Sequence, residues 1–215
     1  MAESALDRWA TGLLEALGRR LWGFSPRLMR EIVARLGPLG ALGWFIANMP
    51  RYERTLKVLG PLRTHLLCSG ISLCNGCPYC TYGHAYAFEL HYLRERDRLF
   101  PLAEQEIVAL HRLAPERLVE RLTEALEAGA LAGEIPVLRR LLALSEGHGE
   151  VAEEHDRRLR HLLRMFAVLN TCAIASNVAP DEAHDPINKD RALKDRYAAL
   201  REAARQPVQT ATRAV

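Results

Sequence analysis

The chain has 215 residues, 49% of them apolar and 26% charged, which is ordinary for a globular protein with a substantial core. Its formal net charge of +3 is small, and the arginines are interleaved with Asp and Glu, so no nucleic-acid stripe and no polybasic membrane anchor is expected. No window approaches the roughly 18 apolar residues of a membrane span, and the first residues are acidic with no apolar leader core, so a cytoplasmic protein is expected.

From residue 4 the pattern is helical. Leu6, Trp9, Ala10, Leu13, Leu14, Leu17 and Leu21 share one side of a helix over residues 4–22. Ser25-Pro26 reads as the N-cap and first helical position of a second helix, which Gly37-Pro38 closes. Leu39 to Met49 is apolar all round and is expected to be buried in the core or in a subunit contact. Pro50 is expected to end that helix and leave a short polar one from Arg51 to Leu59. Pro61 opens the next, on which His65, Cys68 or Ser69, and Ser72 form a polar stripe among Leu62, Leu66, Leu67 and Ile71.

That helix runs into Cys74-Asn75-Gly76-Cys77-Pro78-Tyr79-Cys80-Thr81-Tyr82-Gly83-His84, where the reactive side chains concentrate. Four of the five cysteines lie between positions 68 and 80, a bunching unlike a secreted disulfide framework. Gly76 suits a left-handed stop, Pro78 the first turn of a new helix, and Cys77 its N-cap, with Cys80 and His84 on one edge. The positive helix end stabilises a thiolate, so the segment offers an activated dithiol with an imidazole beside it. A loop of two or three residues pairs the two helices antiparallel, and the stripe of His65 is expected to face Cys77, Cys80 and His84. His91, two turns beyond His84 and roughly 10 Å from it, reads as structural or solvent-facing.

The remainder is again helical, over Leu102–Leu113, Pro115–Glu127, Ile135–Ser145, Glu153–Ser176 and Lys189–Ala204, with no strand-like alternation. One all-helical domain over residues 1–205 and a loose tail over 206–215 are expected. Cys172 reads as a core residue, and the run Asp181-Glu182-Ala183-His184-Asp185 as a solvated loop without a functional role. The residue types leave two chemistries open: dithiol redox, or a structural zinc or iron–sulfur site drawn from Cys68, Cys74, Cys77 and Cys80 with His84 as a substitute ligand. A helical interaction protein with cysteines as packing residues is the third reading.

Residues 63–84, through the pattern Asn75-Gly76-Cys77-Pro78-Tyr79-Cys80-x-x-x-His84, resemble the carboxymuconolactone decarboxylase and alkylhydroperoxidase D superfamily. The resemblance implies an all-α helical bundle of the alkylhydroperoxidase D-like type and a homo-oligomer. It also implies a thiol peroxidase or disulfide reductase with no metal or haem cofactor, whose substrate is a small peroxide or disulfide and whose reductant is an external dithiol. By the same resemblance Cys80 is the attacking thiol, Cys77 the resolving thiol and His84 part of the proton relay. The decarboxylase branch lacks the cysteine pair. Where the family has a glutamate, about twelve residues before the first motif cysteine, this chain has His65, so restoring a glutamate there is expected to raise the basicity of His84.

Overall fold

The structure is a computed structural model that describes residues 4–148 and 153–205; the tail expected over 206–215 lies outside the described residues. These residues form an all-α bundle of ten α-helices and three short 3-10 turns, with no strand among them. The helices are α1 (Ala5–Trp22), α2 (Leu28–Leu36), α3 (Pro38–Leu59), α4 (Pro61–Cys74) and α5 (Pro78–Arg96), then α6 (Glu104–Ala109), α7 (Pro115–Ala128), α8 (Ile135–Ser145), α9 (Glu154–Ala175) and α10 (Arg191–Arg205). None is singly long and apolar enough to cross a membrane; α2 and α3 reach that length together only across a 114° bend.

Helix α1 starts where its sequence says it should. Ser4 Oγ accepts the Asp7 N–H and the Asp7 carboxylate accepts the Ser4 N–H, a reciprocal cap that satisfies two otherwise unpaired donors. Its apolar side is wider than the core can cover: Ala10 and Leu14 are buried, whereas Leu6, Trp9, Leu13 and Leu17 stay exposed. Helix α2 begins two residues after Pro26, which lies in the preceding turn.

Two expectations fail in α3. Pro50 does not end it; one helix runs from Pro38 to Leu59. Phe45 above the proline and Tyr52 and Thr55 below it are all buried on the same side, and packing of that side offsets the bond that Pro50 cannot make. Nor is Leu39–Met49 buried all round: Ala41 and Phe45 are, but Leu39 and Ile46 are 71% and 77% exposed because they point away from the core.

Helices α4 and α5 form the centre. Their three-residue connection turns at Asn75 and Gly76, the latter at φ +69°, where an L side chain would be strained. His65 and His84, at similar distances from that turn, meet side chain to side chain, so the hairpin is antiparallel. Thr64 to Leu73 of α4 are all buried, and α5 is buried on nearly every side. One face of α5, through Ala85, Phe88 and Tyr92, joins the main core with α1–α4 and α7–α9. The other, through Ala87, Leu90 and Leu93, packs on Ala183, Ile187, Leu193 and Tyr197, bringing α10 and the segment before it onto the hairpin. Arg201 fixes α10 there by bonding the Glu89 carboxylate and the carbonyls of Phe100 and Leu102. Burial pushes Glu89 up to about 8.

Candidate redox site

Cys77 is the N-cap of α5, with φ −104° and ψ 96°, and its Sγ accepts the Cys80 N–H at 3.5 Å, while Pro78 fills the first helical position. Both thiols are free and buried. A hydrogen bond from the Cys80 thiol, and after it the backbone N–H groups of Cys80 and Tyr79, hold the Cys77 thiol below its ordinary value, whereas burial pushes Cys80 well above its own. Cys77 rather than Cys80 is therefore the activated thiol, and Cys80 needs a base.

That base lines the same wall. Cys80, His84, Tyr79 and His184 share a cavity of about 50 Å³ with an otherwise apolar lining that includes Trp22, Phe45, Met49 and Phe166. A volume of that size admits a small group or a few waters. Burial, then the neighbouring His65 and His184, hold His84 well below the usual histidine range, so it is neutral near pH 7 and able to take a proton.

Behind His84 runs a chain of contacts. His84 Nδ1 lies 2.9 Å from His65 Nδ1, and His65 Nε2 lies 2.9 Å from Asp185 Oδ2. Asp185 Oδ1 lies 3.1 Å from His91 Nε2, and His91 Nδ1 lies 2.9 Å from Nη2 of Arg94. A carboxylate only accepts and a guanidinium only donates, which fixes the protons. His65 and His91 each donate Nε2–H to Asp185; His91 keeps a lone pair at Nδ1 for Arg94; neutral His65 keeps one at Nδ1 and accepts Nδ1–H from His84. His84 Nε2 is left as the basic nitrogen. Burial opposes ionisation of Asp185, but the hydrogen bonds from His65 and His91 outweigh it and hold the carboxyl far below its usual range. Burial lowers His65, with Asp185 offsetting only part of the effect.

The loop between α9 and α10, expected to be solvated, is instead packed against this chain of contacts. Asp185 and His184 are buried, and so is His91, which is neither solvent-facing nor remote from the site. Gly83 makes the approach possible: the His184 N–H bonds the Gly83 carbonyl at 3.1 Å, and a Cβ on Gly83 would meet the His184 ring at 2.4 Å. Asp181 holds the other end of the loop, accepting from the Tyr79 hydroxyl at 2.9 Å, from His184 Nε2 at 3.1 Å and from the Arg27 N–H at 3.0 Å. Trp22 and Phe24 stack on His184.

The structure thus brings Cys77, Cys80, His84 and His65 together as the sequence pattern expects, and adds Asp185, His91, Arg94 and His184. The signal available for these was a histidine between two aspartates, bracketed by Pro180 and Pro186, in an otherwise helical chain. Cys74 is exposed, Cys172 is buried in α9, and Cys68 is buried in α4, its thiol pushed up by that burial.

Among the described residues, the one group with metal-like spacing is His65, His91 and Asp185, whose ligand atoms lie within 4.8 Å of one another; no group includes the cysteines. Among the described residues Cys68, Cys74, Cys77 and Cys80 do not form a group of that spacing. In the His–His–Asp group Arg94 claims the Nδ1 lone pair of His91, which leaves a proton rather than a lone pair at the Nε2 facing Asp185. With the protons so placed, the group is a hydrogen-bonded relay.

No family model matches the chain, and neither a curated protein nor a solved structure does.

Proposed function

We propose that the chain is a dithiol oxidoreductase that reduces a peroxide, or alternatively a disulfide, at Cys80, in the manner of the alkylhydroperoxidase D proteins its motif resembles. The supporting observation is that Cys80 and a neutral His84 line one apolar cavity, with His84 backed by His65 and Asp185.

In this reading His84 Nε2 takes the Cys80 proton and the thiolate attacks the nearer peroxide oxygen. The S–O bond forms as the O–O bond breaks, the thiol is oxidised to a sulfenic acid, and the departing alkoxide takes the proton back from His84. Cys77, already the more acidic thiol, attacks the Cys80 sulfur; a disulfide forms and water leaves. Cys77 also lines a separate groove with Ala173, Ile174, Val178 and Pro180, and in this reading the external dithiol comes from that side while the cavity holds substrate. The apolar lining favours organic over hydrogen peroxide.

The test is peroxide consumption with dithiothreitol as reductant, comparing a small alkyl hydroperoxide with hydrogen peroxide. The reading requires turnover that Cys80→Ser abolishes, and it fails if wild type and Cys80→Ser consume peroxide equally.

A homo-oligomer belongs to the same proposal, supported by Trp9, Leu39 and Ile46, which leave large apolar surface in water.

A further inference from the structure

Helices α3 and α9 line two neighbouring concavities. Met49 and Tyr52 of α3 and Met165, Phe166 and Leu169 of α9 face the dithiol cavity. Arg51, Arg54 and Thr55 of α3 and Arg157, Arg158 and His161 of α9 face a second cleft of about 320 Å³. By helix rise the two lie roughly 10 Å apart along α9.

Four guanidiniums thus face one concavity with a single carboxylate, Glu154. That carboxylate is 63% exposed and is shared between Arg157 at 3.1 Å and Arg158 at 2.9 Å. Among the described residues Arg51 and Arg54 have no acidic partner. Like charges gathered in a concave site repel one another and focus a positive field, and the planar forks of arginine match tetrahedral oxyanions.

A second observation narrows the ligand. Asn48 Nδ2 donates to the Trp44 carbonyl at 2.8 Å, which turns Oδ1 toward His161 Nε2 at 3.1 Å. His161 Nε2 must then carry the hydrogen and Nδ1 the lone pair. That Nδ1 is buried and has no hydrogen-bond partner. An acceptor left unpaired on a side chain that lines a cluster of cations is matched by a ligand that is anionic yet still carries an O–H, and a protonated phosphate has both. Burial and Arg51 keep His161 below the usual histidine range, consistent with a neutral acceptor.

We propose that the α3–α9 cleft binds a phosphate-type oxyanion, free or as the phosphoryl group of a small molecule, with Arg51, Arg54, Arg157 and Arg158 donating to its oxygens and its O–H donating to His161.

The experiment is calorimetric titration of the full chain at pH 5.5, where a phosphate monoester still keeps its O–H, and at low salt with inorganic phosphate, phenyl phosphate and sulfate. Saturable one-to-one binding of phosphate is expected, with sulfate weaker because it has no proton for His161. If phenyl phosphate binds more tightly than inorganic phosphate, the natural ligand is a phosphoryl compound; if it does not, the ligand is the free ion, and either result supports the site. Arg51→Ala with Arg54→Ala should weaken phosphate at least about 10-fold, as loss of charge-assisted hydrogen bonds implies. His161→Phe should abolish the preference over sulfate, and Arg117→Ala on α7 should change nothing. Should the double variant fail to fold, Arg157→Gln, at an exposed position, takes its place. Absence of saturable binding up to about 10 mM phosphate, or equal affinity in wild type and the arginine variant, would overturn the proposal. Equal affinity for sulfate would overturn the role of His161. Cys80→Ser should bind phosphate normally, so this result stands or falls apart from the redox chemistry.

Discussion

His65 Nε2 lies 2.9 Å from the carboxylate of Asp185, a residue 120 positions further along the chain. The negative charge that a glutamate at position 65 would bring is therefore already present one residue deeper, with His65 between it and His84. The expectation that His65→Glu restores a better relay is reversed by this contact. Two buried carboxylates at hydrogen-bond distance cannot both ionise without a large penalty. His65→Glu should lower the unfolding midpoint in urea and slow Cys80 oxidation. His65→Leu and Asp185→Asn should each slow oxidation roughly 10- to 100-fold, and the double variant should be no slower than the worse single one, because the two act as one unit. Stopped-flow oxidation rates decide this; additive losses would mean that His65 and Asp185 act separately.

Cys77 and Cys80 should form a reversible disulfide, since the N-cap places the Cys77 sulfur 3.5 Å from the Cys80 backbone nitrogen. Mass spectrometry after mild peroxide should show a loss of about two daltons confined to the peptide that holds both, recovered with dithiothreitol. A peptide that stays reduced would remove the redox reading.

Gly83→Ala tests the packing of the α9–α10 loop. A methyl group there would sit 2.4 Å from the His184 ring, and because that loop is tied to α5 the ring cannot move alone. The substitution should destabilise by about 1–3 kcal/mol, the usual range for overpacking. It should also slow Cys80 oxidation, because the displaced segment carries Asp185. An alanine variant with unchanged midpoint and rate would mean that the loop adjusts freely.

Much of the fold was legible because local signals agreed with tertiary ones. The Ser4 cap, the Gly76 stop, the Pro78 start and the helical period of α5 need only neighbours in sequence. The motif cysteines and His84 were readable for the same reason, lying within one turn or two of a helix start. Asp185, His91 and His184 were not, because their role depends on a long-range approach through Gly83 that no local period records. An acidic run between prolines looks solvated until a buried pair of histidines is found waiting for its carboxylate. Pro50 misled in the opposite direction, since tertiary packing on both sides of it outweighs the local preference to stop.

The exposed apolar residues Leu39 and Ile46 on α3, with Trp9 on α1, predict assembly. Light scattering at micromolar concentration should return a multiple of the 24.2 kDa chain mass. Ile46→Lys should shift it toward the monomer with helicity retained, and a monomeric wild type would exclude the assembly.

The last prediction concerns pH. His65 and His84 both ionise below the ordinary value of 6.5 in the folded chain, burial being the first cause for each. As pH falls beneath the unfolded value, the unfolded chain takes up protons that the native chain does not. Their contribution to stability is therefore complete above about pH 6.5 and is lost as pH falls toward the folded values. Between pH 6.5 and 5.5 one such histidine removes at most about 1 kcal/mol, so the ceiling for the pair is about 2 kcal/mol. His161, also lowered but only partly buried, should add a smaller loss of the same sign. Asp185 should not titrate in this window, because its folded value is depressed far below it. The same shifts move the acid limb of thiol oxidation below the range that unperturbed imidazoles would give. Urea unfolding at the two pH values should show the loss in wild type and a smaller one in His84→Asn; a midpoint that does not move between pH 6.5 and 5.5 would mean that the buried imidazoles titrate normally, and the neutral relay they are assigned would fail with them.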